Sequence, residues 1–161
     1  MLLAQVSLEY MILMPILIMQ IFVFPIAVGY VMDYWTDSRS ELALANVASS
    51  LGGTMQQVYL ALNHGTISSA TLTNNLNVPR LIENSAYTGN VTLRTVLDPG
   101  LNPSKVLDIT LKLANSDVSV TSSVTLGQNV VWGNSTFSSN SSTACISAQK
   151  FSNGTISLSF G

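Results

Sequence analysis

The stretch MILMPILIMQIFVFPIAVGYVM, from Met11 to Met32, decides how this chain folds. Gln20 interrupts its polarity, and Pro15, Pro25 and Gly29 interrupt its backbone regularity. About 20 apolar residues in a helix span a bilayer's hydrocarbon core, so the run is long enough to cross as one helix. Glu9, just before it, is the only charged residue among the first 32. A carboxylate beside lipid is costly and marks a function whose partner must be found. The bland alternative for Glu9 is a solvated carboxylate at the headgroup surface. A secretory signal peptide has a basic start and an apolar stretch of about 7–15 residues. This chain has no basic residue before Arg39 and a much longer stretch, so the segment reads as a retained helix. It is either a single-pass anchor or the core of an assembly, and hydrophobicity does not separate the two, because both surroundings are apolar.

Composition limits the alternatives. The chain has 161 residues, of which 9% are charged, against roughly 25% in ordinary soluble domains. Six basic and eight acidic side chains leave a net charge of -2, which gives nucleic acid no basic footprint. A single Cys145 excludes an internal disulfide or a Cys-based metal cage, and a single His64 excludes paired-His metal sites. No Gly-rich phosphate loop, metal-ligand spacing or nucleophile triad is present. The expectation is a non-enzyme with no cofactor, stabilised by apolar burial and backbone pairing. Cys145 reads as a packing residue in a strand, and His64 as a helix C-terminal residue.

Helical periodicity continues past Asp33. Leu44, Val47, Ala48, Leu51, Met55, Val58, Tyr59 and Leu62 recur at steps of three and four, an apolar stripe roughly 120° wide. Asn46, Ser49, Ser50, Gly53, Gln56 and Gln57 fall off it; Leu42 and Leu60 sit opposite. Tyr34 and Trp35 read as an interfacial aromatic belt. One helix is therefore expected over 1–62, with an apolar part at 1–32 and an amphipathic part at 33–62. Pro15 and Pro25 are its candidate kinks. Gly52-Gly53 either bends it or admits another backbone, and Gly65 or Asn63 suits a left-handed cap.

A β-rich globular domain is expected over 63–161. From Ser116 to Gly161, 18 of 46 residues are Ser or Thr, interspersed with apolar residues at period two. Strands are expected at 91–97, 107–113, 118–126, 130–132, 144–148 and 156–160, half-buried and antiparallel. Ser68–Asn75 reads as a short helix, Thr88-Gly89 as a break, and Asp98-Pro99-Gly100 and Asn153-Gly154 as turns. Six short strands suggest a small antiparallel β-sandwich with one face over the amphipathic helix. The fold class is α+β. Four N-x-[ST] sequons, at Asn90, Asn134, Asn140 and Asn153, all fall in this domain. Each is a weak candidate for N-glycosylation.

The segment Gln5-Val6-Ser7-Leu8-Glu9-Tyr10 resembles the start of the mature helix in archaeal type IV pilins with a class III signal peptide, whose signature is Q-x-S-x-E-[YF]. Gln5, Ser7, Glu9 and Tyr10 match it, and the resemblance covers about residues 5–30. It implies a pilin-like fold and a structural role as subunit of an extracellular filament used in surface attachment. It implies storage in the cytoplasmic membrane, cutting by a prepilin peptidase, and handling by the pilus assembly machinery. The partner is then the chain itself, in a helical homopolymer. The resemblance places the cut before the Gln, here the junction Ala4–Gln5, and pairs the Glu9 carboxylate with a neighbouring subunit's terminal amine. Ala4 stands where the family usually has Gly, and Met1–Ala4 lacks the usual basic residues. A leader ending upstream of Met1 stays open beside a junction at Ala4–Gln5. The alternative function is a membrane-anchored extracellular binding domain that does not polymerise.

Overall fold

The computed structural model describes residues 2–97, 103–133, 135–141 and 144–161, with side chains from Tyr10 onward. One helix, α1, runs over Leu2–Leu62 with Pro15 and Pro25 inside it. Among the described residues, eight strands follow: β1 (Ala70–Asn75), β2 (Tyr87–Leu97), β3 (Pro103–Leu113), β4 (Ser119–Leu126), β5 (Val130–Trp132), β6 (Phe137–Ser138), β7 (Cys145–Lys150) and β8 (Ile156–Phe160). The chain is therefore α+β, a long apolar N-terminal helix followed by largely antiparallel sheets. It divides into two compact units, Met1–Arg39 and Ser40–Gly161, and the division falls inside α1.

In the second unit, residues 40–62 of α1 pack by their stripe. Leu44, Val47, Ala48, Leu51, Met55, Val58, Tyr59 and Leu62 are all buried, while Asn46, Ser49, Ser50, Gln56 and Gln57 are exposed. Burying a large apolar side chain contributes about 1.5–3 kcal/mol, so the stripe holds the helix to the sheets. The cover comes from two four-stranded sheets, ordered β1-β7-β8-β5 and β4-β3-β2-β6. Leu107, Ile109 and Leu111 of β3, Ile146 and Ala148 of β7, and Ile156 and Leu158 of β8 are fully buried in one core with the stripe. Between the sheets, Phe137 of β6 lies 4.7 Å from Phe160 of β8, centroid to centroid, and edge-on to Tyr87. Lys105 of β3 donates to the Val130 carbonyl of β5.

Several local expectations are corrected. Ser68–Asn75 does not form a helix: Ala70–Asn75 pairs antiparallel with β7, from Ala70↔Lys150 to Asn75↔Cys145. Ala70 and Leu72 face the core, and Thr71 and Thr73 suit the pleat; one free edge of β7 outweighs the segment's weak helical pattern. Thr88-Gly89 is not a break but lies inside β2, where the Phe137 ring occupies the space a Gly89 side chain would need. The β5·β8 pair is parallel, and β6 is a further short strand. The Asp98-Pro99-Gly100 turn lies outside the described residues. The Asn153-Gly154 turn is present, with Gly154 at φ +83° and its N–H on the Phe151 carbonyl.

The end of α1 also differs from expectation. Neither Asn63 nor Gly65 has positive φ. The Asn63 N–H reaches the Tyr59 carbonyl at 2.8 Å, and the end is instead held by side chains from the β4–β5 turn and from β7. Asn129 accepts from the Tyr59 hydroxyl at 3.0 Å and donates to the Asn63 side chain at 3.1 Å and the Gly154 carbonyl at 2.8 Å. Lys150, nearly buried, donates to the His64 carbonyl at 3.2 Å. With no basic residue in its last turn, the helix borrows this cation for its negative end.

Gly52 and Gly53 differ in their surroundings. A Cβ on Gly52 would meet Val124 Cγ2 at 3.1 Å, whereas one on Gly53 would meet nothing within 4 Å. The helix continues through both, so Gly52 serves close approach. Gly53→Ala should therefore stabilise the second unit by about 0.5–1 kcal/mol through helix propensity. Gly52→Leu should cost about 1–3 kcal/mol by overpacking. Thermal unfolding of the full chain in mild detergent measures both; equal effects would contradict the packing described.

Candidate functional site

The first unit presents an apolar helical surface and little else. Tyr10, Met11, Ile12, Leu13, Met14, Ile16, Leu17, Ile18, Met19, Ile21, Phe22, Val23, Phe24 and Ile26 are exposed, as are Val28, Tyr30, Val31, Met32, Tyr34 and Trp35, from 39% at Val28 to 76% at Met11. Exposed apolar patches of more than a few hundred Å² mark contact surfaces on soluble chains. This one is a helix long and apolar enough to cross a membrane, with none of its apolar window buried. Its polar end begins at Asp33, where Thr36 Oγ1 bonds back to the Met32 carbonyl at 2.9 Å.

Pro15 and Pro25 lie within the continuous helix. Lacking N–H groups, they leave the Met11 and Ile21 carbonyls without their usual intrahelical donors. Leu17, Gln20, Ile21, Phe24, Pro25 and Ala27 line part of a shallow, open groove of about 550 Å³. A second, of about 380 Å³, is lined by Ala27, Val28, Val31, Met32 and Trp35. Such hollows between side-chain ridges receive the ridges of another helix. Gln20 supplies the first groove with an amide.

The motif residues are placed only in part. Gln5, Ser7, Glu9 and Tyr10 are helical, as is Ala4. Tyr10 is 63% exposed; the side chains of Ala4, Gln5, Ser7 and Glu9 lie outside the described residues. Of the four sequons, Asn90 is exposed on β2, Asn140 is exposed after β6, and Asn153 is exposed in the β7–β8 turn. Asn134 lies outside the described residues. The Asn90 side chain accepts from the Val91 N–H at 2.9 Å, and that of Asn153 from the Thr155 N–H at 3.0 Å.

Titratable groups in the second unit are engaged structurally. Arg94 and Ser123 both donate to Asp108, and these bonds hold its carboxyl below the usual range. Burial pushes the Tyr87 hydroxyl up to about 12, and that hydroxyl donates to the Pro79 carbonyl at 2.6 Å. Ser139, also buried, accepts from the Tyr87 N–H and donates to the Arg80 carbonyl. His64 pairs with Thr66 at 2.9 Å, and Cys145 is a half-buried free thiol in β7. Among the described residues, no three His, Cys, Asp or Glu side chains gather to hold a metal. The Asn129 clamp and the Ser139 bridge had no sequence signal, since each joins residues more than fifty positions apart.

No family model, curated protein or solved structure matches this chain.

All buried hydrophobic residues among those described lie from Leu44 onward. Residues 40–161 produced alone should therefore be soluble without detergent and unfold cooperatively, while the full chain should sediment when detergent is withdrawn. Circular dichroism and sedimentation check both outcomes. An unfolded 40–161 fragment would mean that the first unit contributes to the core.

Proposed function

We propose that this chain is a structural subunit of an extracellular type IV pilus-like filament, used in surface attachment and stored in the membrane before assembly. The observation that carries the reading is the contrast along α1. The helix from residue 40 onward is covered by its own sheets, while the apolar surface from Tyr10 to Trp35 is uncovered. The Gln5, Ser7, Glu9 and Tyr10 motif at its start supports the same reading by resemblance. In it, the helix exchanges lipid for the apolar flanks of many copies of itself. The transfer is nearly neutral because both surroundings are apolar. The β-rich unit stays in water on the filament exterior. The pilus assembly machinery and a prepilin peptidase are the further partners, and Ala4–Gln5 is the candidate junction.

Glu9 gives the transfer its selectivity. A carboxylate in an apolar core costs several kcal/mol on the order of magnitude unless compensated. A neighbouring subunit in one axial register supplies a terminal amine there. A hydrogen bond to a charged group contributes about 1.5–3 kcal/mol, enough to favour one register at every addition. Glu9→Gln should leave the amount of membrane-held subunit unchanged or higher and reduce filament number. Electron microscopy of cells, with membrane fractionation, reads both quantities. Normal filaments with Glu9→Gln would place the carboxylate at the headgroup surface instead. Absence of any filament from cells producing the natural chain would favour a non-polymerising, membrane-anchored binding domain.

An exterior β-rich unit would expose its sequons to glycosylation. Peptides from native material containing Asn90, Asn134, Asn140 or Asn153 should carry glycan on at least one asparagine by mass spectrometry. Uniformly bare peptides would remove the glycan while leaving the filament reading in place.

A further inference from the structure

Among the described residues, the two sheets end in edge strands of very unequal character. β5 has three residues and β6 has two, too short to template another strand; beyond β6, residues 90–97 of β2 are also unpaired on their outer side but carry the charge of Arg94. β1 ends in Asn74-Asn75, poor strand formers. β4 is eight residues long, SVTSSVTL, with no charge, Pro or Gly. Natural sheets usually guard such an edge with Lys, Pro, a bulge or a covering segment.

The backbone direction of β4 follows from its register. The Leu113 N–H bonds to the Val118 carbonyl at 3.1 Å, and the pairing continues as Leu111↔Val120, Ile109↔Ser122 and Leu107↔Val124. Alternation in an antiparallel ladder then aims the N–H and C=O groups of Val120, Ser122, Val124 and Leu126 at β3. Those of Ser119, Thr121, Ser123 and Thr125 point outward, and these four residues are exposed. No backbone hydrogen bond among the described residues joins that outer side to another segment.

We propose that β4 pairs antiparallel with β4 of a second copy of this chain about a two-fold axis at Ser122. This register satisfies all four outward residues, matching Ser119 with Thr125 and Thr121 with Ser123 of the partner copy. A shift by two residues leaves one unpaired. On the exposed face, hydroxyl meets hydroxyl. On the inner face, half-buried Val120 meets Val124, and Ser122 meets its own copy. No charge lies within the paired strands, so no like charges meet, and identical partners carry the same complementary pattern on both sides. The pairing does not depend on the filament reading.

Disulfide trapping tests it in the full chain in detergent micelles, with Cys145→Ser removing the natural thiol. The two Ser122 positions form a non-hydrogen-bonded pair, with Cα atoms about 4.5 Å apart, within disulfide reach. Diamide is the two-electron oxidant: its N=N bond takes up both thiol protons and two electrons, becoming a hydrazine, as the S–S bond forms. Ser122→Cys should give at least tenfold more linked dimer than Ser119→Cys, whose two copies lie six residues apart in register. Adding Thr121→Pro, which removes one outward N–H, should reduce the Ser122→Cys dimer at least tenfold. Circular dichroism confirms that each variant is folded. Mixing Ser119→Cys chains with Thr125→Cys chains should give a mixed dimer and supplies the test without altering Ser122. Equal linking at Ser119 and Ser122 would show random collision within micelles and overturn the proposal. So would the absence of both the Ser122 dimer and the mixed dimer.

Discussion

Burial of the stripe from Leu44 to Leu62 is the interaction on which the second unit depends. A single helix face about 120° wide leaves its flanks open to water, and one sheet would cover only one side. Here two sheets share the helix as their common core, so Ile109 and Leu111 from one and Ile146 and Leu158 from the other are buried in one cluster. The requirement for close contact explains Gly52 beside Val124. It also explains why polar residues reach across the layers. The Asn63 N–H serves the Tyr59 carbonyl, and Asn129 and Lys150 hold the chain just beyond the helix, at the Asn63 side chain and the His64 carbonyl.

That arrangement is complete without residues 10–35. Among the described residues, the large apolar side chains that the sheets and their loops leave exposed are scattered, such as Leu81, Leu97, Val131 and Phe151, whereas the surface of residues 10–32 is apolar around its circumference except at Gln20. A helix of this kind is buried in another solvent or in another protein. The contrast is sharp in sequence as well. Asp33, Asp37, Arg39 and Glu41 follow directly after one charge in 32 residues, and they mark where an apolar medium would have to end.

The helix and its buried stripe were legible because periodicity over five turns is a strong signal. All eight stripe residues were named from spacing and all eight are buried. The longer strands were legible for the same reason: β3 alternates Leu107, Ile109, Leu111 and Leu113 against polar neighbours. β1 was misread because six residues carry too few repeats to separate period two from 3.6, and its partner lies some seventy residues further on. The break assigned at Gly89 failed because a glycine in a strand marks either a turn or a close neighbour, and only the Phe137 ring distinguishes them. The parallel β5·β8 pair was illegible because strand direction depends on long-range topology. At the candidate site, the exposed apolar surface was read directly from composition. The roles of Gln5, Ser7 and Glu9 rest on the motif alone, because their side chains lie outside the described residues.

The two proposed intermolecular contacts obey different symmetries. A filament built by repeated axial addition is polar: every subunit points the same way, and the contacts along it are heterologous. A β4·β4 contact would be isologous, and what it joins depends on its two-fold axis: an axis along the fibre leaves both partners pointing the same way, and an axis across it inverts one of them. With the axis across the fibre, the helix contact would build each fibre and the β4 contact would join subunits of two fibres running in opposite directions. Neutral Ser and Thr edges suit that role, because every subunit along the fibre repeats the same uncharged strand. Many weak, identical backbone ladders between antiparallel neighbours add through multivalency, so lateral association would require little from any one pair.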